Sequence, residues 1–180
     1  MNLNEHLIDQ VDLHWRRQLH PRLAGLTDDE YFWEPVPAWN VREVPGASSG
    51  AFTVDFAFPE PEPVPFTTIA WRLAHVIVGV LAMRSAAHFG RAPADYQSWE
   101  YAGTASAALA QLDEEYARWV EGVRSLGDEG LSRPCGPAEG PFADEPVEVL
   151  VLAINRELIH HLAEVCLLRD LYFHTHREDT

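Results

Sequence analysis

The sequence predicts an all-α protein, a four-helix bundle with two long loops, and three observations carry that reading. Four stretches repeat apolar residues at helical spacing, the segments between them are rich in Gly and Pro, and only Thr53–Phe58 has the composition of a short strand. Residues 3–24 come first, with Leu3, Leu7, Ile8, Val11, Trp15, Leu19 and Leu23 at three- and four-residue steps. Pro21 bends or breaks the last turn of that helix. Thr27-Asp28-Asp29-Glu30 has capping-box spacing and starts a short helical turn.

From Tyr31 to Pro65 no helical period survives. Trp33, Trp39, Phe52, Phe56 and Phe58 still give this stretch the apolar surface to fold back over one end of the domain. Residues 66–89 form the second helix, apolar on nearly all sides and therefore central. Residues 104–126 form the third, with Thr104 as cap, Gly127 as stop, and Leu109, Leu112, Tyr116, Trp119 and Val123 on its buried face. A second Gly/Pro loop, Ser132–Glu145, carries Cys135. Asp144-Glu145-Pro146 then opens a fourth helix reaching about Phe173, because acids and Pro suit a first turn. Four long helices with short apolar stripes pack as a bundle, and 180 residues are the size of a single domain spanning 1–180.

Charge narrows the function. The chain carries 28 acidic residues against 13 basic ones, with no lysine, for a formal charge of −15. That excess disfavours nucleic acid and anionic membrane surfaces as partners. Two cysteines, Cys135 and Cys166, make no disulfide framework, the N-terminus has no secretory pattern, and the apolar run at 73–83 is too short for a bilayer. The expectation is a cytoplasmic protein acting on small molecules.

The informative run is Arg156-Glu157-Leu158-Ile159-His160-His161. Glu157 and His161, four apart, project from one helix face in a stripe with Leu150, Ile154, Leu168 and Tyr172 that reads as core-facing. A carboxylate there requires a partner. His75, inside the most apolar segment, can supply it. Two imidazoles and a carboxylate from two helices compose a three-ligand divalent-metal site with open positions, as catalytic sites have. Taken alone, a Glu and a His at this spacing are also commonly a simple hydrogen-bonded pair.

Four segments carry a family likeness: Leu26–Pro35 (LTDDEYFWEP), Thr67–His75 (TTIAWRLAH), Ala87–Gly90 (AHFG) and Asn155–Tyr172 (NRELIHHLAEVCLLRDLY). Through them the chain resembles the DinB-like (YfiT-like) superfamily of metal-dependent four-helix bundles over essentially its whole length. The resemblance implies a divalent metal, Zn, Ni, Fe or Mn, held by one His on the second helix and a His-x-x-x-His pair on the fourth. Matched by position, the ligands are His75, Glu157 and His161, with Glu157 standing where the common pattern has His. It also implies thiol-dependent transfer or isomerisation with a low-molecular-weight thiol such as bacillithiol, mycothiol or glutathione.

Other residues take secondary parts. Trp71 and Arg72 flank the site and, with Trp33, are candidates for substrate binding; the alternative for Arg72 is an ordinary ion pair, and for Trp33, Trp39 and Tyr31 the anchoring of the loop. Glu164 can orient a ligand imidazole or pair with Arg169. His160, about 100° around the helix from His161, falls outside the ligand set but close to it. His174 and His176 belong to a frayed tail, Cys166 to the core, and Cys135 is the candidate reactive thiol. Apolar residues all round the fourth helix, Ile159, Leu162 and Cys166 included, require cover from the loops or from a second copy in a homodimer. The leading function is a metal-dependent enzyme activating a small thiol. The alternatives are a metal-dependent hydrolase using activated water, and a non-catalytic small-molecule-binding bundle that has lost its metal.

Overall fold

Capping and apolar spacing set four long helical segments, and these make the protein mostly helical. In the computed structural model, which describes residues 2–46 and 50–176, Leu3–His14, the π-helical turn Trp15–Leu19 and His20–Leu23 run on as the first helix. The Asn2 side chain accepts from the Glu5 amide while the Glu5 carboxylate accepts from the Asn2 amide. Leu7, Ile8, Val11, Trp15, Leu19 and Leu23 are buried as their spacing predicts, whereas Leu3 is exposed. Pro21 does not break the helix. The turn before it widens to π geometry, the His20 amide donating to the Trp15 carbonyl, and the chain passes a residue that cannot donate. Thr27 and Glu30 make the expected capping box over Asp28–Tyr31.

The aromatic stretch folds back through two short ladders. Ala38–Trp39 (β1) pairs in parallel with Phe66–Thr67 (β4), and Val41–Glu43 (β2) pairs antiparallel with Phe52–Val54 (β3). Asn40 joins these ladders to the second helix. Its Nδ2 donates to the Phe32 carbonyl and Glu34, and its Oδ1 accepts from the Thr68 hydroxyl at 2.8 Å. Thr68 in turn caps the helix by accepting from the Trp71 amide. That helix therefore starts at Ile69, three residues later than its apolar spacing suggests, because β1 takes Phe66–Thr67. It continues as Ile69–His75, the π-helical turn Val76–Ala82 and Met83–Phe89. By length and composition Ile69–Phe89 could span a membrane. Its Ala70, Leu73, Val76, Ile77, Val78 and Leu81 are instead buried in the protein, against the third and fourth helices.

Thr104 caps the third helix, Ala105–Leu131. Gly127, with φ at +60°, is a break rather than the end, and one further turn resumes beyond it. The fourth helix is Val147–Thr175. Its most buried line runs through Val151, Leu158, Leu162 and Val165, so the stripe containing Glu157 and His161 lies at the edge of the core and not at its centre. His176 is not frayed: its ring stacks on Tyr172 at 4.0 Å.

Buried polar groups fix how the helices meet. Asn4 donates to the Val123 carbonyl at 2.7 Å and Asn155 to the Leu7 carbonyl at 3.0 Å, tying the first helix to the third and fourth. Arg169 on the fourth helix reaches Glu30 at 3.0 Å and the Ala24 carbonyl at 3.1 Å. Burial pushes the Glu30 carboxyl up, but Arg169 and Thr27 outweigh it and hold it below its ordinary range. Arg169→Ala strands this buried carboxylate, and urea unfolding is expected to show a loss of about 3 kcal/mol. Because the folded-state pKa is depressed, that stabilisation is full above the ordinary carboxylate pKa and disappears as pH falls through the depressed one. The variant's deficit accordingly shrinks in acid.

Candidate metal centre

The second and fourth helices bring His75 and His161 together. The two rings meet edge to face with centroids 4.7 Å apart. One turn before His161, the Glu157 Oε2 lies 3.5 Å from His161 Nε2, as the four-residue spacing requires. The other ring nitrogen, Nδ1, is 3.0 Å from the Glu164 Oε2. His161 thus has one nitrogen held by a carboxylate on its own helix and the other turned toward Glu157. Two atoms bound to one tetrahedral cation at 2.0–2.2 Å are roughly 3.3–3.5 Å apart, which is the separation of this pair. The donor set fits a divalent cation: two imidazoles, one carboxylate, and a second carboxylate fixing an imidazole from behind.

His75 is held from three sides. Trp71 stacks on its ring at 5.4 Å and 9°, and its Nδ1 is 2.7 Å from the Tyr96 hydroxyl. Trp71 donates its indole N–H to the Asp55 carbonyl and packs against Trp39, while Phe56 stacks on Tyr96 at 5.7 Å. The long aromatic loop therefore roofs this imidazole. Burial, then the neighbouring His161 and Arg72, push the His75 pKa down to about 4 against the pull of Glu157 and Glu164. At neutral pH the ring is uncharged and keeps the lone pair a metal needs.

Tyr96 is the residue that reading the sequence missed. It comes from the connection after the second helix, where Asp95 turns the chain by accepting from the Gln97 and Ser98 amides. Its hydroxyl reaches His75 only because residue 79 is glycine: a Cβ there would sit 2.0 Å from the Tyr96 oxygen. The glycine thus makes room for a phenol against the second helix. Burial pushes that phenol's pKa up to about 12, so it stays protonated.

The remaining candidates divide. Trp71 touches the centre. Arg72 pairs with Glu164, which also meets His161 Nδ1, so it is engaged inside the protein instead of facing a ligand. Arg169, the other partner considered for Glu164, goes to Glu30. His160 is 63% exposed and 3.7 Å from Glu164. Trp33 is not at the centre: it packs on Tyr172 and His176, eleven residues and about 16 Å along the helix from His161. Tyr31 is buried and donates to the Ala102 carbonyl, an anchor for the loop. Cys135 is a poor nucleophile, since burial together with Glu139 and Glu145 raises its thiol pKa. Among the described residues, the group of three whose ligand atoms all lie within 4.8 Å of one another is His160, His161 and Glu164.

No curated protein and no solved structure matches this chain. A family model, that of the DinB superfamily, matches residues 10–165, a span holding both histidines, Glu157 and all four long helices in whole or in part. The chain belongs to the DinB superfamily.

Proposed function

We propose that the helices form one DinB-type four-helix-bundle domain, and that His75, Glu157 and His161 hold a single divalent cation, Zn, Ni, Fe or Mn, in an enzyme acting on a small thiol or a water molecule. The observation that carries this is His161, with Nδ1 on Glu164 and Nε2 turned to Glu157 beside the neutral ring of His75. A bound divalent ion supplies Lewis acidity that lowers the pKa of a coordinated thiol or water.

The chain's own residues do the rest. Glu164 keeps the His161 proton on Nδ1 and leaves Nε2 free. Tyr96 does the same for His75 when that ring donates Nδ1–H to the phenol oxygen. Arg72 balances the charge of Glu164, and Trp71, Trp39 and Phe56 exclude water on the His75 side. Glu157, 40% exposed, borders solvent and would leave that side of a bound cation open to an organic electrophile. The net charge of −15 suits small-molecule ligands in the cytoplasm, not nucleic acid or a membrane. Leu167 and Leu171, exposed on the fourth helix, offer the surface for a homodimer.

A second reading puts the cation on His160, His161 and Glu164. Two features favour the first: Glu164 is already engaged by Arg72, and His160 projects into solvent. Metal content after purification without chelator separates them. Glu157→Gln and His75→Ala are expected to lose most bound metal while His160→Ala keeps it; the reverse pattern sinks the assignment. Gly79→Ala drives the Tyr96 hydroxyl off His75 and is expected to weaken zinc affinity by about tenfold. Competition with a chromophoric chelator reads that change, and an unaltered affinity removes Tyr96 from the site. Assays with candidate thiols and an electrophile, against water alone, decide between transfer and hydrolysis.

A further inference from the structure

N-terminal to Glu157, the fourth helix presents Val149, Leu152, Ala153 and Arg156 on one face, at spacings of three and four. This face is one wall of a groove of about 540 Å³, and residues 135–145 of the second loop supply the other. Phe142, Leu152 and Val149 are 65%, 50% and 41% exposed, so the groove leaves large apolar side chains facing water. The opposite wall is anchored. Glu139, with its side chain 7% exposed, meets His88 Nε2 at 2.8 Å and accepts from Arg84 Nη1 at 3.2 Å. The Cys135 amide donates to the Glu145 carbonyl and the Gly136 amide to the Ala143 carbonyl, closing the loop on itself.

Polar groups also line the groove, and Glu157 of the proposed metal centre is one of them. Its charges are Arg84 and Arg156 against Glu139, Glu145 and Glu157. The balance is one negative charge, which a divalent cation on Glu157 turns into one positive. The volume is that of a small-molecule site.

We propose that this groove is where the substrate's apolar body binds, the substrate being an amphipathic organic anion whose head group is directed to the Glu157 end. The placement of the head rests on the metal reading above; the binding of the body does not. Transfer of a methylene from water to an apolar site is worth about 0.8 kcal/mol, three- to fourfold in affinity. Straight-chain carboxylates from butyrate to decanoate, titrated calorimetrically into the full chain, are therefore expected to bind about three- to fourfold tighter per added methylene. Leu152→Asp, at an exposed position, is expected to flatten that dependence with unchanged thermal melting and metal content. A flat series in the unaltered protein, or a slope that survives Leu152→Asp, overturns the proposal. So does sedimentation showing a dimer that Leu152→Asp dissociates and decanoate does not, which assigns the groove to a second copy of this chain. Zinc separates the two readings: a chain-length slope with tighter binding in zinc supports both, and a slope indifferent to zinc refutes the head-group placement while the groove stands.

Discussion

Glu164 is the contact on which the centre depends. It sits on the fourth helix, pairs with Arg72 of the second, and meets Nδ1 of His161 with the same oxygen. Stepping three residues forward from Arg72 reaches His75; stepping three back from Glu164 reaches His161. The two helices thus run antiparallel at this contact, and the ion pair sets the register that brings the imidazoles together one turn away. Removing Glu164 would leave Arg72, only 17% exposed, without its counter-charge, and His161 free to rotate. One carboxylate therefore serves helix register, ring tautomer and charge balance together.

Local chemistry made part of this legible in the sequence. Glu157 and His161 at four residues, and His75 in an apolar run, are one-dimensional signals, because a helix fixes which residues share a face. Caps at Thr27 and Thr104, and the break at Gly127, are equally local. Hidden from the sequence was whatever needs a partner from elsewhere. Spacing offers Glu164 Arg169 as its base, and packing brings it Arg72 from the second helix instead. Tyr96 lies in a connection without periodicity, and its tie to Gly79 and His75 is a contact across seventeen residues and more. The stripe through Glu157 was also one position off the centre of burial. On a helix apolar nearly all round, spacing alone cannot say which face is deepest, and Leu158 and Leu162 took that place.

The edge position of Glu157 has a chemical consequence. Two neutral imidazoles and one carboxylate leave a divalent cation with a single net positive charge, where three imidazoles would leave two. A carboxylate is also the harder ligand, which favours Zn, Fe or Mn over softer ions. Had Glu157 occupied the centre of the core, the cost of desolvating it without metal would have been large. At 40% exposure the side chain remains hydrated in the apo protein. The proposed centre thus needs no cation to form, with His75 neutral and His161 oriented by Glu164.

The two long loops divide the surroundings of that centre between them. The first, from Tyr31 to Pro65, closes over His75 through Trp39, tilted against Trp71, and Phe56, stacked on Tyr96, and Trp71 and Tyr96 both touch the imidazole. The second, around Glu139, leaves the Glu157 side open and shapes it into a groove. A low-dielectric wall on one flank strengthens electrostatic interactions beside His75, and on the other flank the groove reaches Glu157. This asymmetry follows from where the aromatic residues were placed in the chain. The first loop carries seven large rings and the second a single one, Phe142, which faces the groove and water instead of the imidazoles.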